Sequence, residues 1–140
     1  LARRVLEDRY DESLSDGRSV AEHLLAAHRS FLPVVGPLLD AGLLHGMAHV
    51  TGGGLPGNLP RVLPEGLGVV VDGVWPEPEV FTLIREAGCV SASEMRRVFN
   101  LGIGFVVIVA PEDEVKVTAL ASEPLLRVGR VERGHGVSWA

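Results

Sequence analysis

The pattern of apolar and polar positions divides the chain into short strands and helices. Apolar runs rich in β-branched residues, together with one alternating run, predict the strands. They cover Leu44–Val50, Leu67–Asp72, Gly102–Ala110 and Leu125–Glu132, with a last edge strand near Val137. Strands interleaved with helices predict an α+β fold, a roughly four-stranded mixed sheet with helices packed on it.

Helix starts are marked by capping residues. Ser19 with Glu22, and Ser91 with Glu94, have the spacing of a capping box. Pro111, followed by three acidic residues, marks another start. The predicted helices are the opening segment at 1–9, Val20–Ala27, an apolar helix at 30–41, a short one within Leu55–Leu63, Glu79–Ala87, one from Ser91 to about Phe99, and one from Pro111 to about Ser122.

Length and composition predict a single domain of ordinary globular type at 1–140. The chain is 46% hydrophobic and 22% charged, with a net charge of −5 and no Lys/Arg-rich tract. Nucleic acid is therefore not an expected partner, because binding it requires a positive field. The apolar runs are too short to span a membrane. A single cysteine, Cys89, rules out an internal disulfide and favours a reducing cytoplasm.

The chain opens on Leu1 rather than Met, and in the middle of a helical pattern. Leu1, Val5 and Leu6 can share one helix face from the first residue onward. This start is expected for a piece of a longer protein, and also for a chain shortened by proteolysis or by removal of a tag.

The segment His49–Arg61 (HVTGGGLPGNLPR) carries most of the chemistry in the sequence. Three consecutive glycines have no side chain to bury and lose much conformational freedom on folding. Side-chain packing therefore does not explain why the run is present. The run offers backbone that a ligand can approach closely, and it leads to the amide of Asn58. A phosphate-sized anion at a helix start would be bound by the amides of Gly52–Leu55.

Two other interpretations of the glycine run are open. The stretch Gly52–Gly57 satisfies G-x-G-x-x-G, and Asp72 follows at the distance typical of a dinucleotide-binding fingerprint. The crossover helix would have to end before Pro64 and contain two prolines, which disfavours that interpretation. The glycines could also serve only to let two elements pack closely. The polar residues clustered around the run favour the anion-binding loop.

The glycine run and a second motif together carry a resemblance to a known family. HVTGGGLPGNLPRVLP is followed by a strand ending at Asp72, by Trp75-Pro, and by EMRRVFNLGIG at Glu94–Gly104. This combination resembles the C-terminal domain of phosphoribosylformylglycinamidine cyclo-ligase (aminoimidazole ribonucleotide synthetase), a family of purine biosynthesis. The resemblance covers essentially all 140 residues. Related domains occur in formylglycinamidine ribonucleotide synthetase and selenophosphate synthetase.

The resemblance implies an ATP-dependent ligase that closes formylglycinamidine ribonucleotide to aminoimidazole ribonucleotide. ATP and Mg would be held mainly by an N-terminal domain, which also forms the core of a homodimer. The present domain would close the substrate side of the cleft, with Thr51–Leu55 facing the ribose 5′-phosphate, and would be inactive alone. The implied substrate-binding residues are His49, Thr51, Gly52, Gly53, Gly54, Leu55, Asn58, Arg61, Asn100, Gly102 and Gly104.

Several of these residues have structural alternatives that the sequence leaves open. Arg61 fits an exposed helix arginine paired with an acid as well as it fits a phosphate contact. Asn100 fits a turn as well as a ligand contact. Gly102 and Gly104 share one face of the predicted strand, where glycine also permits close approach of another backbone. His49 could pair with a second histidine on its strand, but no third metal ligand is evident, so no metal site is predicted.

Two functions are therefore carried forward. The first is the substrate-side domain of the cyclo-ligase, and the second is a stand-alone anion- or nucleotide-binding module, or the equivalent domain of a related ATP-dependent enzyme. The first predicts that Gly53→Val abolishes substrate binding and leaves the fold intact. It also predicts an apolar helix surface exposed without its partner domain. That surface comprises Val34, Val35, Leu38 and Leu39.

Overall fold

A computed structural model describes residues 1–140 as seven short helices and five strands, with three 3₁₀ turns between them. The helices are α1 (Ala2–Val5), α2 (Val20–Leu24), α3 (Leu32–Asp40), α4 (Gly54–Asn58), α5 (Glu79–Ala87), α6 (Ala92–Val98) and α7 (Glu114–Leu120). The strands are β1 (Gly46–His49), β2 (Leu67–Val71), β3 (Phe105–Ile108), β4 (Gly129–Arg133) and β5 (Gly136–Trp139). The predicted α+β class is confirmed. No helix has both the length and the apolar character that a bilayer crossing requires.

The strands form two sheets, whereas the sequence pattern predicted one sheet of roughly four strands. β1 pairs antiparallel with β3, and β2 lies between antiparallel β4 and parallel β5. α4 and the 3₁₀ turn Leu59–Val62 connect β1 to β2, and this turn contacts both strands. The connection itself is buried at Leu55, Asn58 and Leu59. Seven buried residues form the shared core: Ala48, Val50, Leu55, Leu59, Val69, Val71 and Ile103.

The helices form a second hydrophobic core, which also includes Leu101 from the segment that follows α6. It joins residues from α2, α5 and α6 with the N-terminal segment and with Leu101. Its buried members are Leu6, Leu14, Val20, Val80, Ile84, Met95 and Leu101. This core anchors the second sequence motif, because Met95 and Leu101 lie within EMRRVFNLGIG.

Strand β3 is shorter than the apolar run Gly102–Ala110 predicted, and covers Phe105–Ile108. The start of the run forms a turn instead, because the Asn100 side-chain oxygen accepts a hydrogen bond from the Gly102 amide at 3.1 Å. An Asn side chain that bonds the backbone two residues on competes with strand geometry.

Strand β4 also differs from its predicted bounds, Leu125–Glu132, and covers Gly129–Arg133. Its partner β2 ends at Val71, which stands opposite Gly129. The ladder therefore cannot extend to Leu125, although the alternation of that segment is strand-like.

The first capping box is complete and the second is only half formed. Ser19 accepts a hydrogen bond from the Glu22 amide at 3.2 Å, and the Glu22 carboxylate accepts one from the Ser19 amide at 2.7 Å. Ser91 accepts from the Glu94 amide, but the Glu94 carboxylate pairs with Arg97 at 2.8 Å. The charged Arg97 guanidinium, one helical turn away, binds the Glu94 carboxylate more strongly than the neutral Ser91 amide would.

The predicted apolar surface on α3 is only half exposed. Val34 and Leu38 are 6% and 0% exposed, whereas Leu39 is 53% exposed and Val35 is half-buried. Val34 and Leu38 stand one helical turn apart and share the inner face of α3, which packs against α7.

Glu79 at the start of α5 ties down the N-terminal segment. Its carboxylate accepts hydrogen bonds from the Ser15 hydroxyl and, at 2.8 Å, from the Ser15 amide. These bonds, the hydroxyl bond most of all, hold the pKa of Glu79 below its ordinary value. Such a carboxyl stabilises the fold at pH values above its unfolded-state pKa of about 4.3. This stabilisation is lost as the pH falls through the lower pKa of the folded state.

We therefore expect the free energy of unfolding to fall between about pH 5 and pH 3, and Glu79→Gln to make that fall smaller. Urea unfolding at the two pH values measures the difference. Glu65→Gln is the matched control, because Glu65 is exposed and makes no hydrogen bond or ion pair. An equal pH dependence in the Glu79→Gln variant and the parent chain would contradict the assignment.

Candidate functional site

The glycine run forms the turn from β1 into α4. Gly53 (φ +99°) and Gly54 (φ +57°) occupy the left-handed region of backbone space, which L side chains rarely adopt. The Gly54 amide closes the turn on the Thr51 carbonyl at 3.1 Å. The amides of Gly52 and Gly53 donate to no acceptor in the chain. Thr51 and Gly52 are exposed, so this backbone is accessible to a ligand.

Asn58 fixes the orientation of the turn from inside. It is 5% exposed, and its side-chain amide donates to the carbonyls of Gly54, Gly52 and Thr51 at 2.8, 3.3 and 3.4 Å. In a trans peptide the C=O and the following N–H point in opposite directions. The Thr51 and Gly52 carbonyls point to Asn58, so the Gly52 and Gly53 N–H groups point away from it. Two free donors therefore face outward from a braced turn.

Gly54 allows the turn to pack directly on the end of α6. A Cβ at Gly54 would collide with the carbonyl oxygens of Arg96 and Phe99. This close approach brings the second sequence motif against the first, and it places Asn100 beside the glycine turn. The buried Leu55 side chain, 2% exposed, anchors the turn in the shared core.

A groove of about 460 Å³ lies where the two motifs meet. Its polar groups are Thr51, Asn100 and His28, and its walls are mostly apolar. A few convergent polar groups on apolar walls, in a space of this size, are typical of small-molecule sites. This space is called the Thr51 groove below. The lining residues are His28, Val50, Thr51, Gly52, Phe81, Val98, Phe99 and Asn100.

The structure thus brings Thr51, Gly52 and Asn100 together, as the resemblance implied. His28 also lines the groove and was not predicted from the sequence, because it comes from the segment between α2 and α3 and no spacing links it to the motifs. His49 lies next to it, with the two Nε2 atoms 2.7 Å apart.

The remaining candidates lie outside the Thr51 groove. Arg61 is exposed in the 3₁₀ turn after α4 and makes no ion pair, so the predicted acid partner is not found. A Cβ at Gly102 would lie 2.7 Å from Cδ of Pro78, and one at Gly104 would lie 2.6 Å from Cζ of Phe31. Both glycines therefore serve close packing of the surrounding segments, and a ligand contact from either remains a prediction.

The topology argues against a dinucleotide-binding unit. β1 and β2 belong to different sheets, and α4 has only five residues. Asp72, the acid at the fingerprint distance, is paired with Arg127 at 3.3 Å and Arg130 at 2.5 Å. A βαβ unit requires two parallel strands of one sheet joined by a full helix, and neither condition holds.

Comparison with known proteins places the two motifs in a family. Residues 2–139 match the family model described as AIR synthase related protein, C-terminal domain. The chain is 46% identical over 126 residues to the phosphoribosylformylglycinamidine cyclo-ligase of Bacillus pumilus (strain SAFR-032), covering 87% of this chain and 36% of the relative. It is 42% identical over 144 residues to the enzyme of that name from Anaeromyxobacter sp. (strain Fw109-5), covering 97% of this chain and 42% of the relative.

The similarity extends to a plant protein. The phosphoribosylformylglycinamidine cyclo-ligase, chloroplastic/mitochondrial, of Vigna unguiculata is 38% identical over 147 residues, covering 100% of this chain and 38% of the relative. The chain thus spans 36% to 42% of the lengths of these three relatives. The match over nearly the whole chain, together with the two motifs that meet at the Thr51 groove, shows that the chain belongs to the AIR synthase related protein family as a C-terminal domain.

Proposed function

We propose that the chain is the substrate-side domain of an ATP-dependent ligase that cyclises formylglycinamidine ribonucleotide to aminoimidazole ribonucleotide. The names of the relatives supply the reaction. The observation that carries the proposal is the pair of free amides at Gly52 and Gly53, which face outward from the turn beside the Thr51 groove. Outward-facing amides in a glycine turn are a general means of binding a phosphate group.

In this proposal the ribose 5′-phosphate binds at the Gly52 and Gly53 amides. Binding by backbone donors requires no net positive protein, which suits a chain of net charge −5. The Thr51 hydroxyl and the Asn100 side chain offer further hydrogen bonds in the groove. Asn58 acts from behind, because it holds the carbonyls inward and so keeps the amides directed at the phosphate.

ATP and Mg²⁺ belong, in this proposal, to the part of the longer relatives that the chain does not cover. No three His, Cys, Asp or Glu side chains of the chain are placed to hold a metal ion. The Thr51 groove is also lined by no carboxylate, lysine or arginine. When bound, ATP would supply the phosphoryl group that makes the formyl oxygen a leaving group. A homodimer formed through an N-terminal domain and a cytoplasmic location complete the proposal.

Calorimetric titration of the 140-residue chain tests this division of roles. We expect formylglycinamidine ribonucleotide to bind and Mg·ATP not to bind, with ligase activity only after addition of a separately made N-terminal domain. Binding of Mg·ATP without binding of the substrate would favour the stand-alone nucleotide module. Full turnover by the isolated chain would contradict the proposal.

Gly52→Val should weaken substrate binding by more than about tenfold and leave the melting temperature unchanged. A Cβ at Gly52 meets nothing within 4 Å, and its φ lies outside the left-handed region, so the fold tolerates the side chain. In the groove, the same side chain blocks the approach to the amides. Gly57→Val is the matched control, because Gly57 is equally open and does not line the groove. Calorimetry on both variants measures the difference, and equal affinities would show that the turn serves only packing.

Gly53 is not suited to this test. Its φ of +99° strains any L side chain, so the structure argues against the expectation that Gly53→Val leaves the fold intact.

A further inference from the structure

Two histidines from distant parts of the chain form a direct pair beside the Thr51 groove. The Nε2 atoms of His28 and His49 lie 2.7 Å apart, and the ring centroids are separated by 4.7 Å. Phe31 lies edge-on to His28, and Phe105 stacks on His49 at a centroid distance of 6.1 Å. Both histidines are exposed at this surface, and the aromatic rings pack against their imidazoles.

The charged groups around the pair leave it without a counter-ion. Neither imidazole contacts a carboxylate. Arg29, the nearest charged neighbour in sequence, lies over the Phe31 ring at 5.0 Å and is paired with Glu123 at 2.8 Å. The elements packed against the pair contribute Phe31 from the start of α3 and Phe105 from β3, both uncharged. A charge gained by the pair would therefore find no acidic partner in the chain.

The geometry limits how many protons the pair can hold. At 2.7 Å one Nε2 must carry a hydrogen and the other must accept it. One additional proton can bind at the free Nδ1 of the donor ring, and this leaves the Nε2 contact intact. A second would set two N–H groups against each other and break the contact. The pair can thus change from neutral to a single positive charge with no rearrangement.

His28 is also the only ionisable side chain among the residues that line the Thr51 groove. We propose that the His28–His49 pair supplies the positive charge for the phosphate group bound in this groove, by taking up one proton when the ligand binds. A nearby anion favours the protonated imidazole, so binding of the anion and uptake of the proton reinforce each other. The inference rests on the proposed function, because it requires an anionic ligand in the groove.

Calorimetric titration of the chain with ribose 5-phosphate at pH 7.5, in two buffers of different ionisation enthalpy, measures the proton uptake. We expect the parent chain to take up a fraction of a proton, up to one, on binding. His28→Gln retains a side chain that can hydrogen-bond His49 but removes the ionisable group that lines the groove, so it should show a smaller uptake and about tenfold weaker binding. His135→Gln is the matched control, because His135 is exposed and lines no part of the groove.

Nitrogen-15 chemical shifts of the imidazoles give a second readout that needs no variant. Saturation with ribose 5-phosphate should move one Nδ1 of the pair from the value of a free ring nitrogen to that of an imidazolium. Binding without proton uptake and without this shift, or equal uptake in the His28→Gln variant, would overturn the inference and leave the proposed function standing. Failure of the parent chain to bind both ribose 5-phosphate and formylglycinamidine ribonucleotide would overturn the proposed function itself.

Discussion

Gly54→Ala is expected to lower the free energy of unfolding by about 3–4 kcal/mol, although it adds only one methyl group. That group would collide with the backbone carbonyls of Arg96 and Phe99, which cannot move without displacing α6. The left-handed backbone at φ +57° adds strain for any residue with a Cβ. Both effects act where the two sequence motifs join. Urea unfolding of the purified variant measures the loss.

Gly57→Ala is the control for this prediction. It lies in the same helix, and an added Cβ there meets nothing within 4 Å. Alanine is the better helix former, so we expect Gly57→Ala to leave stability unchanged or raise it by up to about 1 kcal/mol. Similar stabilities for the Gly54→Ala and Gly57→Ala variants would mean that α4 and α6 are not packed backbone to backbone.

Asn58→Asp is expected to cost about 3 kcal/mol or more, whereas the same change at Asn100 should cost little. Asn58 is buried, and its side-chain amide donates to three carbonyl oxygens. An aspartate there would replace the donor with an acceptor oxygen that the three carbonyl oxygens repel. Asn100 acts as an acceptor for the Gly102 amide, a role that aspartate retains. Chemical denaturation of both variants at pH 7 compares the two sites.

The Asn100→Asp variant also separates stability from binding. Its fold should persist, but a negative charge in the groove should repel an anionic ligand, so its affinity for formylglycinamidine ribonucleotide should fall. If the Asn58→Asp variant proved as stable as the Asn100→Asp variant, Asn58 could not be the brace of the glycine turn.

Local chemistry made part of this structure predictable from the sequence. The capping box at Ser19 and Glu22 involves neighbouring residues, so its spacing was enough to predict it. The polar cluster around the glycine run likewise marked the turn that now borders a groove. At Ser91 the same spacing correctly predicted the helix start but only half of the capping box, because the Glu94 carboxylate pairs with Arg97 instead.

Contacts between distant segments were beyond sequence reasoning. The split into two sheets depends on which distant strands pair, β1 with β3 and β2 with β4 and β5, and no periodicity encodes that choice. His28 reaches the groove only because the segment before α3 folds over the end of β1. The sequence also could not show which glycines face a ligand and which face the chain. A Cβ added at Gly54 would collide with two carbonyl oxygens, whereas one added at Gly52 would meet nothing within 4 Å, although both glycines belong to the same run.

A residue-resolved NMR titration of the 140-residue chain with formylglycinamidine ribonucleotide tests directly whether the glycine turn binds the substrate. We expect the largest amide shifts at Gly52 and Gly53 and smaller ones at Thr51 and Asn100, all saturating together. Gly134 serves as an internal reference, because it does not line the groove. Saturable shifts elsewhere with none at Gly52 and Gly53, or no shift at all, would contradict the claim that the glycine turn is half of a substrate-binding site.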